Sequence, residues 1–183
     1  SCWMLGLVML IFVGISEGRS WSIDGTRYGE SLELSQQDTL VLLVNERYKI
    51  PENLYIDHNV FQLASNNMIA PDIRIYSAEG STPTLRVQFY TQEEKPVYDN
   101  MDFNWNYKND TLRFDNYIKL AGQWRAQRVT LTLYLPENKK VLLPSQTSQY
   151  LRNLRDFDRG VRSRLNKDKI LLIMQDGKLQ PLM

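Results

Sequence analysis

The 183 residues suit one domain with a substantial core plus an N-terminal appendage. With 22 basic and 21 acidic residues the formal charge is +1, so no global field draws in nucleic acid or an anionic membrane surface. A single cysteine, Cys2, excludes an internal disulfide and a four-cysteine zinc site.

Residues 3–15 form an almost unbroken apolar run with no charge until Glu17. The run is shorter than the roughly 20 apolar residues that a bilayer helix needs. Because the sequence opens on Ser1, it reads as the distal half of a membrane helix cut from a longer protein. A signal peptide would carry a basic n-region and a small-x-small cleavage site, and both are missing. The flank Ser16-Glu-Gly-Arg-Ser20 lacks a cytoplasmic-loop signature, which favours the following domain being outside. The expected organisation is a partial transmembrane helix and flank over 1–19, a β-rich extracytoplasmic domain over 20–147, and an amphipathic helix or linker with a terminal hairpin over 148–183.

Ile23-Asp-Gly-Thr-Arg-Tyr-Gly29 holds two glycines that fit turns and leads into strands at Ser31-Leu-Glu-Leu34 and Thr39-Leu-Val-Leu-Leu-Val44. The second is apolar on both faces, as in a strand sandwiched between layers. After Pro51, the side chains Leu54, Ile56, Val60, Phe61 and Leu63 predict short irregular strands. Alternation then returns at Ile73 and Ile75 and again at Leu85, Val87 and Phe89, with a turn at Ser81-Thr-Pro83. This predicts a hairpin or neighbouring coils.

Residues 99–110 tempt toward calcium, because Asp102, Asn104 and Asn106 match the first ligand positions of an EF-hand loop. Tyr107 stands where that loop needs glycine, and Arg113 where it needs glutamate. Met101, Phe103, Trp105 and Tyr107 take the other parity, so a strand with one aromatic and one polar face accounts for the same residues.

The strongest patterning lies in residues 110–144. Leu112, Phe114, Ile118 and Leu120 share one parity, as do Val129, Leu131, Leu133 and Leu135, which predicts two half-buried strands. Gly122 permits a turn between them. Trp124 is expected to plug the core at a strand corner, with a binding anchor as the alternative. Beyond Ser148, Leu151, Leu154, Phe157, Val161 and Leu165 recur at helical spacing, with Arg152, Arg155, Arg159, Arg162 and Arg164 elsewhere. That describes an amphipathic helix interrupted at Gly160. Asp156, Asp158 and Asp168 dilute the arginines and favour a solvated face over lipid contact. Asp176-Gly177 between two apolar runs predicts a terminal hairpin.

Active-site chemistry finds no seat. The one histidine, His58, has neighbouring Asp57 pointing elsewhere on an extended chain, and no nucleophile elbow, Walker loop or dinucleotide turn occurs. Asp99 and Asp102 could pair as glycosidase carboxylates, but nothing in the sequence separates their pKa values. The sequence assigns no catalytic, cofactor-binding or metal-binding residue, and it predicts a non-enzymatic protein without cofactor or small-molecule substrate.

Asp38-Thr-Leu-Val-Leu42 and Asp110-Thr-Leu-Arg-Phe114 repeat one phrase, an Asp-Thr pair opening a strand, as in coils whose strands start at equivalent corners. The phrase from Asp110 to Leu120, then Gln123-Trp-Arg-Ala-Gln-Arg-Val-Thr-Leu-Thr-Leu-Tyr-Leu-Pro136, then Lys139-Lys-Val-Leu-Leu143, resembles the C-terminal domain of bacterial phage shock protein C family membrane proteins. The resemblance covers the membrane stub, the 110–144 core and the terminal hairpin. It implies a mainly β, stacked-strand, β-solenoid-like "toast-rack" domain behind a membrane helix, with the namesake domain upstream of Ser1. It further implies a bacterial inner-membrane protein with its β domain in the periplasm. Envelope-stress signalling through a protein partner or self-association follows from it, with the membrane held through the N-terminal helix and no nucleic acid bound. An adhesin-like or structural surface domain is the alternative.

Overall fold

The computed structural model describes residues 26–49, 67–91, 101–122, 126–153, 157, 161 and 169–182. The apolar run at 3–15, the strands expected between Leu54 and Leu63, His58, Asp99 and Trp124 lie outside them. No helix among the described residues is long and apolar enough to cross a membrane.

The chain is mainly β. Its strands are β1 (Thr26–Glu33), β2 (Thr39–Asn45), β3 (Met68–Ile69), β4 (Asp72–Ser77), β5 (Thr84–Thr91), β6 (Met101–Asp102) and β7 (Trp105–Lys108). There follow β8 (Thr111–Asp115), β9 (Ile118–Leu120), β10 (Arg128–Leu135), β11 (Lys140–Leu143), the short helix α1 (Ser145–Ser148), β12 (Ile170–Gln175) and β13 (Lys178–Pro181). They form three open sheets: four strands in the order β1-β5-β10-β4, six in the order β13-β12-β11-β2-β8-β7, and three in the order β3-β9-β6.

Period-two patterning explains why the sheets meet. Val129, Leu131, Leu133 and Leu135 are each fully buried and face Leu85 and Val87 of β5 and Ile73 and Ile75 of β4 within one cluster. Leu112 and Phe114 on β8 and Ile118 and Leu120 on β9 keep the expected parity. The run 111–120 nevertheless breaks at Asn116-Tyr117 and moves from the six-stranded to the three-stranded sheet. Phe114 and Tyr150 meet edge to face at 5.8 Å within this core.

The repeated Asp-Thr phrase lies on neighbouring parallel strands. Lys140 N–H donates to Asp38 O at 2.9 Å, and Val41 N–H donates to Asp110 O at 2.8 Å, so each Asp carbonyl starts a ladder. β11, β2 and β8 run parallel side by side, which explains why β2 is apolar on both faces.

Three expectations are corrected. Residues 72–77 and 84–91 do not pair with each other, because β10 inserts between them, parallel to β4 and antiparallel to β5. Gly29 lies within β1 instead of a turn, and a Cβ there would sit 3.3 Å from Val87 O. Of the helix expected beyond Ser148, Leu151 and Phe157 instead make isolated parallel bridges to Ile73 and Leu179, whereas Val161 is helical, and the rest of that stretch lies outside the described residues. Their burial, with that of Val161, reproduces the apolar stripe. The terminal hairpin is present: Gln175 pairs with Lys178 across Asp176 (φ 50°) and Gly177 (φ 70°), the two left-handed residues of a type I′ turn. Asn109 and Asp110 make the corresponding turn between β7 and β8.

Candidate functional site

The described residues contain no group of three or more His, Cys, Asp or Glu able to hold a metal ion. Asp102, first of the calcium-like positions, is engaged elsewhere. Its carboxylate accepts from Arg47 Nη1 at 2.7 Å and from the Tyr48 hydroxyl at 2.6 Å. Asn104 turns its backbone N–H and its Nδ2 toward Asp115 at 2.9 and 3.1 Å. The expected alternation is present, with Met101 and Phe103 buried, Trp105 and Tyr107 half-buried and Asp102, Asn104 and Asn106 exposed, but the run is divided between β6 and β7, which belong to different sheets.

Asp115 is the centre of this corner. Only 1% of its side chain is exposed, and besides Asn104 it accepts from Asn45 Nδ2 at 3.0 Å and Arg47 Nη1 at 3.1 Å. Next to it, Asn116 brackets Tyr48, donating to its carbonyl at 2.7 Å and accepting its N–H at 3.1 Å. The two ion pairs keep the Arg47 guanidinium firmly protonated, Tyr48 and Arg47 hold Asp102 below the usual carboxylate range, and burial with the Asp102 bond pushes Tyr48 up to about 12. These bonds tie the ends of β2 and β8 to β6.

A second cluster occupies the outer face of the four-stranded sheet. The inward parity of β4, β5 and β10 fills the core, so the other parity sets Arg74 and Tyr76, Arg86, Gln88 and Tyr90, and Arg128, Thr130, Thr132 and Tyr134 on one surface. Register places Thr132 opposite both Arg86 and Arg74 and places Arg128 opposite Tyr90. The Arg86 guanidinium lies over the Tyr134 ring at 5.5 Å and that of Arg128 over Tyr90 at 5.3 Å, while Tyr76 and Tyr134 approach to 6.0 Å. A depression of about 340 Å³ opens on this face between Arg74 and Arg128, with Arg86 beside it. The sequence contained this cluster in the residues that alternate with Ile73, Leu85 and Val129, but reading only the apolar parity passes over it.

The third feature is an edge. Strand β1 pairs with β5 on one side and borders no described strand on the other. Residues 28–33 are all exposed, Tyr28 at 45% and Leu32 at 39%. By contrast, the outer side of β4 is met by Leu151 and that of β13 by Phe157.

Residues 90–181 match the model of the toast-rack domain found in some PspC proteins, its C-terminal domain. The chain belongs to this toast-rack family. The matched span runs from the end of β5 through β13 and contains the corner at Asp115, β10 and the terminal hairpin. No curated protein and no solved structure matches the chain. The toast-rack match agrees with the resemblance carried by residues 110–144, and it leaves β1 to β4 to be understood from their own geometry.

Proposed function

We propose that this toast-rack domain is the extracytoplasmic part of a membrane-anchored envelope-stress protein that acts by protein contact, without turnover or bound cofactor. Residues 3–15 would contribute part of the anchoring helix in the bacterial inner membrane, and the parallel strands β11, β2 and β8 would be the beginning of a solenoid-like stack. The observation that carries this reading is the edge of β1, which borders no other strand among the described residues. An antiparallel strand paired on one side leaves the N–H and C=O groups of its other side free to accept another strand, and exposed apolar side chains beside that edge add contact area. Tyr28 and Leu32 share the parity of Phe89 and Leu85, so they extend the apolar face beyond the limit of the core.

Light scattering and native mass spectrometry on the detergent-extracted full chain from its host test this reading. The expected result is an oligomer or a complex with a second protein that Leu32→Lys weakens while the thermal transition stays in place. A monomer with no co-purifying protein, or a tightly held small molecule, would overturn it.

A further inference from the structure

We infer that the outer face of the four-stranded sheet, centred on Arg74, Arg86 and Arg128, is a binding site for an acidic, extended peptide segment of a partner protein. The inference goes beyond the edge contact just described and rests on different residues. Across the described residues, no acidic side chain pairs with any of these arginines, and none lines the depression. Two acids share the outer parity nearby: Asp72 is taken by Arg152 at 2.7 Å, and Glu33, diagonal to Arg86 on β1, forms no ion pair with it. In a protein whose net charge is only +1, a patch of arginines that no acid among the described residues pairs is a local departure that calls for an anionic partner.

The arginines are held in place before any ligand arrives. The Arg86 and Arg128 guanidinium groups rest over the Tyr134 and Tyr90 rings, a contact that uses no N–H donor in a hydrogen bond and leaves donors for oxyanions. Arg74 Nε is buried and finds no hydrogen-bond partner among the described residues, so Arg74 enters the site with unmet donor capacity. Thr132, only 5% exposed, forms the floor between Arg74 and Arg86. Flat, in-plane donor forks match the planar, bidentate geometry of carboxylates. Arg74 and Arg86 stand on the two strands that flank β10, with Arg128 further along β10 itself. Arg74 and Arg86 thus sit level with Thr132 across the sheet and Arg128 four residues along β10, a triangle of charges that an extended chain with several acidic side chains meets by crossing the strands obliquely. The rings carry guanidinium groups on their faces, which disfavours stacked sugars as the occupant.

Fluorescence anisotropy tests the site with the full chain in neutral detergent and a short labelled peptide of alternating glutamate and threonine, against a matched glutamine-threonine peptide. The acidic peptide is expected to bind at least about tenfold more tightly, with affinity falling as salt rises. Combining Arg74→Gln with Arg128→Gln should weaken binding by a further factor of about ten or more, while Arg113→Gln, on the six-stranded sheet, changes it less than about twofold. Thermal transitions of all variants identify any that fail to fold, and Arg86→Gln alone provides a second reading of the face. Equal binding of the two peptides, or unchanged affinity in the folded arginine variants, would overturn the proposal. So would arginine-dependent binding of phosphatidylglycerol vesicles, or displacement by inorganic phosphate, with no preference for the acidic peptide.

Discussion

The Tyr48 hydroxyl donates to Asp102 Oδ2 at 2.6 Å, joining the segment that follows β2 to the short strand β6. The bond gives the corner a dependence on pH at both ends of the scale. Tyr48 first, and then Arg47, hold the Asp102 carboxyl below its ordinary value, so near pH 4 the native state binds fewer protons than the unfolded chain. The contribution of Asp102 is therefore complete above about pH 5 and is lost as pH falls through its depressed value. Tyr48 is shifted the other way, to about 12, and its contribution is complete below about 10 and lost as pH rises through about 12. Tyr107 and Tyr150 are raised by burial in the same sense and add to the alkaline loss. Urea midpoints measured across this range for the protein and for Tyr48→Phe should show both limbs flattened in the variant. Superimposable profiles would show that the bond contributes nothing.

Asp115 gathers four donor contacts in a buried position. Its replacement by alanine leaves Asn45 and Asn104 with unmet donors and should cost about 2–4 kcal/mol. Asparagine keeps an acceptor and should cost about 1–2 kcal/mol. Urea denaturation of the two variants checks the order, and a loss below about 1 kcal/mol for alanine would mean that the corner is held by packing alone.

Leu131 stands on β10 with Val87 on one side and Ile73 on the other, and it is fully buried. Leu131→Ala should cost about 3–5 kcal/mol, within the range for a leucine removed from a core that cannot collapse. At the edge, Leu32→Ala should stay within about 0.5 kcal/mol. Similar losses at the two positions would contradict the placement of β10 at the centre of its sheet.

Gly177 takes φ 70° in a turn where no atom crowds the site of a Cβ. Gly177→Ala therefore meets only the left-handed backbone penalty, about 1 kcal/mol. A shift in Tm of a few degrees is the expected reading, and no shift would mean that the hairpin is not coupled to the cooperative unit.

What the sequence disclosed follows from what kind of information alternation carries. Leu112, Phe114, Leu131 and Leu133 declared their buried side because period-two spacing is a local property of a strand. The two-residue turn at Asp176-Gly177 was legible for the same reason. Pairing partners were not: nothing in residues 72–91 reveals that β10 will separate β4 from β5, since strand order is decided by contacts between distant segments. Helical spacing foresaw the burial of Leu151, Phe157 and Val161, but the single bridges that Leu151 and Phe157 make to strands depend on partners distant in sequence. Asp115 sits at the start of a polar break, yet its burial depends on Asn45 and Arg47, which are far away in sequence. The arginine and tyrosine face was present in the alternate residues of three strands, but only their register shows that they share one surface.

The insertion of β10 also orders events in time. β4 and β5 are synthesised long before the strand that joins them, so neither can complete its ladder until Arg128–Leu135 has emerged. Contacts between such distant segments make folding slow, on the order of milliseconds to seconds. A chain translocated from its N-terminus would therefore spend that interval with Ile73, Ile75, Leu85 and Val87 uncovered. The nascent protein is most vulnerable to proteases and to aggregation between the arrival of β5 and that of β10.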